Sequence, residues 1–190
     1  METDWEVEVG GDAPVIDGCW PGLVDLRGAP QLARRLPEAK GLPALADALC
    51  QLNSGLSPVW TSKCDVWSPA EFDADELDAR GDEANKALAC YIDLLPHRDA
   101  LWRSPEQAVA QCRGICERLR NVPLRCCRAD LIVRQAHSAP YREHFGITVY
   151  ITACGRSLAD AQTTLESALG AFAMRVLPVD RAASADSKLQ

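Results

Sequence analysis

The chain has 190 residues, enough for one well-filled core, and we expect a single α+β domain over residues 1–178. A composition of 47% hydrophobic and 25% charged residues excludes a disordered or collagen-like protein. The formal charge of -7 and the pI near 5.0 would repel a phosphate backbone, so we expect no nucleic-acid partner.

The beginning of the chain and its apolar stretches bear on where the protein works. Residues 1–6 are acidic and alternating, whereas a secretory signal begins with basic residues followed by an apolar run. The longest uncharged stretch, residues 48–62, is too short and too polar to span a bilayer. We therefore predict a soluble cytoplasmic protein without a membrane partner.

Nine cysteines are a high and odd number for a chain of this length. Without a secretory signal, this number favours reduced, buried thiols over a disulfide scaffold. The alternative is a zinc site, and its candidate ligands are Cys112, Cys116, Cys126 and Cys127 with His137 or His144. Because no pair has CxxC spacing, we predict no metal and no cofactor.

The N-terminal third predicts short elements that pack on a core formed later in the chain. Alternation of apolar and acidic residues predicts a strand over residues 5–9, and the Gly- and Pro-rich residues 14–30 predict an irregular segment. Short helices are expected over residues 31–36 and 43–52, the second with proline at its first position. We expect all of residues 1–58 to pack on the core.

A strand and an acidic segment come next. Residues 59–67 are rich in β-branched and aromatic side chains, which favours a strand. The sequence Ser68-Pro69-Ala70-Glu71 has the form of a capping box, so we expect a short acidic helix to begin there. Residues 71–83, called the acidic segment below, contain seven acidic residues and one arginine, so they carry most of the net charge.

The C-terminal half predicts strands and helices with clear periodicities. Apolar runs and alternation predict strands over residues 89–95, 125–135 and 146–154, and apolar spacing predicts helices over residues 105–120 and 158–177. Residues 137–145 are expected to form a long hairpin loop. Residues 179–190 are expected to form a frayed polar tail.

The order of the elements after residue 89 favours a ferredoxin-like architecture. Strand, helix, strand, hairpin, strand and helix follow one another, which is the split βαβ arrangement without its last strand. We expect residues 59–67 to fill the vacant edge, with residues 5–9 as a further edge strand. The fold class is therefore α+β, with an antiparallel-rich mixed sheet, two helices on one face and a core from about residue 59 to residue 177.

Alternation along the strands then defines the sheet face opposite the helices, called the open face below. The face is polar and carries aromatic side chains; it is predicted to hold Thr61, Lys63, Asp65, Trp67, Tyr91, Asp93, Arg128, Asp130, Arg134, Thr148, Tyr150 and Thr152. Aromatic residues and arginine are typical of contact surfaces, so Lys63, Asp65, Trp67, Tyr91, Asp93, Arg134 and Tyr150 are candidate binding residues. A solvated face with cross-strand ion pairs, or a face covered by the N-terminal segment, are the alternatives.

The acidic segment is a second candidate surface. Asp73, Asp75, Glu76 and Asp78 are its candidate binding residues, because dense charge steers association with a basic partner. Asp73 and Asp75 have the first spacing of an EF-hand, but Leu77 and Asp78 do not fit the positions that follow. A solvated acidic surface is the alternative to docking.

Catalytic signatures are weak in this chain. The sequence lacks a phosphate-binding glycine loop and the GxSxG and HExxH motifs. Cys64 lies between a lysine and an aspartate, but alternation directs both flanking side chains away from its thiol. An enzyme would have to use His137 or His144 as a base with Asp93, in a pocket between the open face and residues 137–145.

These observations favour a non-enzymatic binding or interaction protein that uses the acidic segment, the open face or both. We expect a protein partner or self-association. An enzyme or a small-ligand-binding protein is the alternative.

Overall fold

The computed structural model describes residues 1–97, 102–138 and 142–176, and they form an α+β fold around one mixed six-stranded sheet. The strands are β1 (Glu2–Glu8), β2 (Ile16–Asp17), β3 (Val59–Trp67), β4 (Lys86–Pro96), β5 (Cys127–Ser138) and β6 (Arg142–Gly155). The α-helices are α1 (Pro43–Leu52), α2 (Pro105–Arg120) and α3 (Leu158–Val176), and 3-10 helices span Pro30–Arg35, Pro37–Ala39 and Gly81–Ala84. The predicted tail, residues 179–190, lies outside the described residues.

The sheet has the strand order β1-β5-β6-β4-β3. The contacts of β3 with β4, of β4 with β6 and of β5 with β6 are antiparallel, and β1 runs parallel to β5. Strand β3 therefore lies beside β4 at one edge, as predicted for residues 59–67, and β1 lies at the other edge, which the prediction of an edge strand over residues 5–9 did not specify. The short strand β2 was not predicted; it continues the line of β1 along β5, where Ile16 lies opposite Ala136.

The main core lies between one face of the sheet and the three α-helices. Ile92, Leu131, Val149 and Ile151 are fully buried on this helix face, as alternation predicts. They pack with Phe172 and other apolar residues of the helices. Helix α1 belongs to the same layer, because Leu45 and Leu49 are part of the same buried cluster, so three helices rather than two cover this face.

Two predicted elements are wrong. Residues 137–145 do not form a long loop, because β5 extends to Ser138 and β6 begins at Arg142; residues 139–141 lie outside the described part. The acidic segment does not begin with a helix. It forms turns up to residue 80, because burial of Leu77 and Ala79 against Ala87 and Cys154 outweighs the local helix signal.

A β-bulge in β3 overturns one detail of the predicted open face. The register with β4 shifts by one residue between Thr61 and Cys64. Thr61 is consequently buried on the helix side, where its hydroxyl accepts a hydrogen bond from Asn53 Nδ2 at 2.7 Å. Trp60 instead lies on the side of the open face, paired with Leu95.

No helix in residues 1–97, 102–138 and 142–176 combines the length and the apolarity needed to cross a membrane.

Candidate functional site

The strand registers place five of the open-face residues in a single line across the sheet. Asp65 on β3 lies opposite Tyr91, Tyr91 opposite Tyr150, Tyr150 opposite Asp130, and Asp130 opposite Asp4 on β1. We call this line the aromatic-acid row. With about 4.8 Å between neighbouring strands, Asp65 and Asp130 are about 14 Å apart and Asp65 and Asp4 about 19 Å.

The aromatic centre of the row is a three-ring cluster. The ring centroids of Tyr91 and Tyr150 are 5.9 Å apart, and that of Trp67 is 6.3 Å from each of them. Tilted and edge-to-face rings at such distances attract one another and hold each other in place. Trp67 is 38% exposed, so this rigid cluster presents an aromatic surface to solvent.

Acidic residues lie next to the three-ring cluster, on the side of β1. Strand β1 directs Glu2, Asp4, Glu6 and Glu8 to the open face, because each is in register with an open-face position of β5. This acidic edge was not selected by the sequence reasoning, although the alternation of Glu6 and Glu8 with apolar residues was the signal that could have revealed it.

The acidic segment lies beside the aromatic-acid row, at the end of the sheet where β4 begins and β6 ends. Its residues Glu71, Asp73 and Glu76 line one groove together with Trp67, Arg128, Asp130 and Thr152 from the sheet. This groove, called the acidic groove below, has a volume of about 200 Å³. Two regions that were separate candidates in the sequence thus form one continuous surface.

Arg128 neutralises part of the charge in the acidic groove. Its guanidinium lies 2.7 Å from an Asp130 oxygen, 3.7 Å from Asp4 and 3.8 Å from Glu76. Burial raises the pKa of Asp130, while the hydrogen bond from Arg128 lowers it. One guanidinium cannot balance three carboxylates, so the groove keeps an excess of negative charge.

The predicted acidic-segment residues have different roles. Asp73 and Glu76 line the groove, and the Asp73 side chain also accepts a hydrogen bond from the backbone N–H of Asp75. Asp78 instead anchors the segment, because Arg125 donates to its carboxylate and to its backbone oxygen, both at 3.0 Å.

Three of the other predicted open-face residues are shielded from solvent: Asp93 and Thr148 are buried and Arg134 is half-buried. The Arg134 side chain is 11% exposed and donates two hydrogen bonds to Glu8, at 2.8 and 3.1 Å. Asp93 is 7% exposed and accepts a hydrogen bond from the Thr148 hydroxyl at 2.6 Å. Burial raises the pKa of Asp93. These residues tie β1, β4, β5 and β6 together instead of presenting a surface.

The far end of the open face is covered by the N-terminal segment. Ile16 packs with Trp60, Leu95 and Ala136 in a second buried cluster, and Arg27 stacks on the Trp60 ring at 4.2 Å. This covering was one of the alternatives left open by the sequence. It leaves the aromatic-acid row, the acidic residues of β1 and the acidic groove uncovered.

The two histidines proposed for an enzyme do not come together. In the hairpin, Ala136 lies opposite His144 and His137 lies opposite Glu143, so the two imidazoles belong to opposite faces of the sheet. His137 is exposed, whereas His144 is buried and its Nε2 lies 2.8 Å from the Ser138 hydroxyl. Among the described residues, no histidine lines the acidic groove.

The cysteines are free thiols. Among residues 1–97, 102–138 and 142–176, no three His, Cys, Asp or Glu side chains are grouped so that they could hold a metal ion. Cys112, Cys116 and Cys127 are buried in the main core. Burial raises the pKa of the Cys64 thiol to about 12, so it is not an activated nucleophile at neutral pH.

Comparison of the chain with protein-family models, curated proteins and solved structures finds no match.

Proposed function

We propose that this protein is a non-enzymatic binding module whose open face and acidic segment hold a basic, extended segment of a partner protein. The observation that carries this proposal is the acidic groove. In it, Glu71, Asp73 and Glu76 face Trp67 and Asp130 across a single concave surface.

The chemistry of the surface supports a basic partner. Aromatic rings at the centre supply contact area and attract cations through their faces, and the carboxylates at the rim attract lysine and arginine over a longer distance. In an extended peptide, side chains on one side recur about every 6.6 Å. Basic residues at positions i and i+4 would therefore span the roughly 14 Å between Asp65 and Asp130, with residue i+2 on the aromatic rings.

Charge also decides between a different partner and a second copy of the chain. Two copies of this surface would bring β1 glutamates and acidic segments against each other, and such like-charge contacts oppose association. A basic partner meets no such repulsion. We therefore favour a different protein over self-association as the occupant.

We further propose that the core from residue 59 to residue 176 is ferredoxin-like and that the protein works in the cytoplasm. The strand order β5-β6-β4, with α2 before β5 and α3 after β6, supports the first proposal. Nine free thiols support the second, since reducing compartments keep cysteines unpaired.

A binding experiment with matched peptides tests the function. A fluorescent (Lys-Thr)4 peptide and its (Glu-Thr)4 counterpart are titrated with the protein, and binding is followed by fluorescence anisotropy. We expect the basic peptide to bind and added salt to weaken it, because exposed charge pairs are screened. The acidic peptide should not bind.

Variants locate the binding surface. Glu71→Gln, Asp73→Asn and Glu76→Gln together should weaken the basic peptide about tenfold, since each exposed pair contributes up to about 1 kcal/mol. The control Asp12→Asn, Asp47→Asn and Glu117→Gln removes the same charge from exposed positions outside the groove. Equal weakening by both triple variants, or no binding of the basic peptide, contradicts the proposal.

A further inference from the structure

A second concave site lies at the β3 edge of the sheet, away from the acidic groove. This edge cleft has a volume of about 460 Å³ and separates residues 20–26 from the 3-10 helix Pro37–Ala39 and α1. Its third wall is the bulged part of β3, from Thr61 to Asp65. A volume of this size is typical of sites for small molecules.

The walls of the edge cleft are apolar and aromatic. Leu26, Leu36 and Leu49 supply aliphatic surface, while Trp20 and Tyr91 supply two aromatic rings. Such a lining favours a ligand with an apolar body of a few carbon atoms or one aromatic ring. It does not favour a bare metal ion, which would require several converging polar ligands.

Charged groups around the cleft determine which polar group a ligand can carry. Glu38 on the 3-10 helix and Asp65 on β3 both line the cleft, and the one lysine of the lining, Lys63, lies over the Trp20 ring with its ammonium 5.5 Å from the centroid. Glu38 makes no hydrogen bond or ion pair with the described residues, so its carboxylate is available to a ligand. One Asp65 carboxylate oxygen accepts a hydrogen bond from the backbone N–H of Val66, and the other oxygen remains available to a ligand.

Cys64, which also lines the cleft, is affected by the same negative charges. Burial raises the pKa of Cys64, and the charges of Glu38, Asp65 and Asp93 raise it further. A positive group placed near Cys64 would therefore be stabilised, whereas a carboxylate there would be repelled.

We propose that the edge cleft binds a small organic cation, a primary amine that carries one aromatic or branched aliphatic group. The ammonium lies between Glu38 and Asp65, and the apolar group packs against Leu36 and Leu49 beside the Trp20 ring. This site shares Asp65 and Tyr91 with the aromatic-acid row but no lining residue with the acidic groove, so the inference does not depend on peptide binding in the groove.

A set of three similar small molecules tests the chemistry. 2-Phenylethylamine, 3-phenylpropionate and 2-phenylethanol share the aromatic body but carry a positive, a negative and a neutral polar group. Isothermal titration calorimetry should show binding of the amine, with the alcohol and the acid at least about tenfold weaker. Absence of amine binding, or equal binding of the acid, overturns the proposal.

The Glu38→Gln variant locates the site. It should weaken the amine roughly fivefold to tenfold without unfolding, because Glu38 holds no other described residue in place. Asp47→Asn, an exposed position on α1 outside the cleft lining, is the matched control and should leave amine binding unchanged. Unchanged affinity in Glu38→Gln overturns the assignment.

The triple variant of the acidic groove provides a readout that separates the two proposed sites. The triple variant of the acidic groove should bind the amine as the wild type does. Loss of peptide binding without loss of amine binding thus separates the two sites.

Discussion

The two faces of the sheet differ in how completely they are covered, although the same strands supply both. On the helix face, α1, α2 and α3 form a continuous layer, and residues such as Ile92 and Val149 are fully buried. The open face is covered only at its two ends, by the N-terminal segment and by the acidic segment. From this difference we expect the helix face to supply most of the stability, whereas the aromatic-acid row of the open face stays accessible to solvent.

The largest predicted change in stability comes from comparing two adjacent residues of β4 whose side chains lie on opposite faces of the sheet. Ile92→Ala removes a fully buried side chain and should lower the free energy of unfolding by about 2–5 kcal/mol. Tyr91→Ala removes a half-buried ring and its contacts with Trp67 and Tyr150, and should cost about 1–2 kcal/mol. Urea unfolding followed by circular dichroism measures both values.

The same two variants should also differ in their affinity for the basic peptide. Tyr91→Ala is expected to weaken the basic peptide, whereas Ile92→Ala should bind it normally under conditions in which the variant is folded. If Tyr91→Ala destabilised the protein as much as Ile92→Ala, the open face would be a second core rather than a contact surface.

Alternation was sufficient to predict much of this arrangement from sequence. The parity of β4, β5 and β6 placed Tyr91 and Tyr150 on the open face, and the strand registers confirm that these residues are neighbours. The position of β3 at the edge beside β4 also followed from the order of elements. These predictions succeed because side-chain direction in a regular strand depends only on sequence position.

The failures arise where tertiary contacts override local patterns. No local signal marks the bulge after Thr61, which reverses the parity of the first part of β3. The acidic segment has a helix-start pattern, but Leu77 and Ala79 gain more by packing on the end of the sheet. Arg134 pairs with Glu8, which lies 126 positions earlier in the chain, and no local pattern indicates that partner.

A smaller effect is expected where the N-terminal segment covers the open face. A Cβ added to Gly146 would lie 2.7 Å from Ile16 Cδ1 and 2.9 Å from the Leu94 backbone oxygen, so Gly146→Ala must displace the cover. We expect a loss of about 1–3 kcal/mol, with faster amide hydrogen exchange in β2. Hydrogen exchange with mass spectrometry shows whether the change is confined to this end.

Gly170 in α3 provides the control for that substitution. A Cβ there meets no atom within 4 Å, so Gly170→Ala should stabilise the protein by about 0.5–1 kcal/mol through helix propensity. A stabilising Gly146→Ala would mean that the N-terminal segment does not press on β6.

The smallest effect concerns the buried carboxylate on the open face. Burial raises the pKa of Asp93, although the Thr148 hydrogen bond and the nearby Arg134 and Lys63 charges oppose that shift. Between the ordinary value of 3.8 and the higher folded value, the native state binds more protons than the unfolded state. The contribution of Asp93 to stability therefore falls as the pH rises through this window and is constant above it.

Asp93→Asn removes this cost and keeps an oxygen that can accept the Thr148 hydrogen bond. The variant should be more stable than the wild type near neutral pH, by less than the changes above, and the gain should shrink as the pH falls toward 3.8. Urea midpoints measured across the acid range, with Asp47→Asn as an exposed control, test this dependence. A gain that grows on acidification would show that folding stabilises Asp93 as a charged group. Asp93 would then belong to a stabilising ion-pair network on the open face, and folding would not disfavour its charged form.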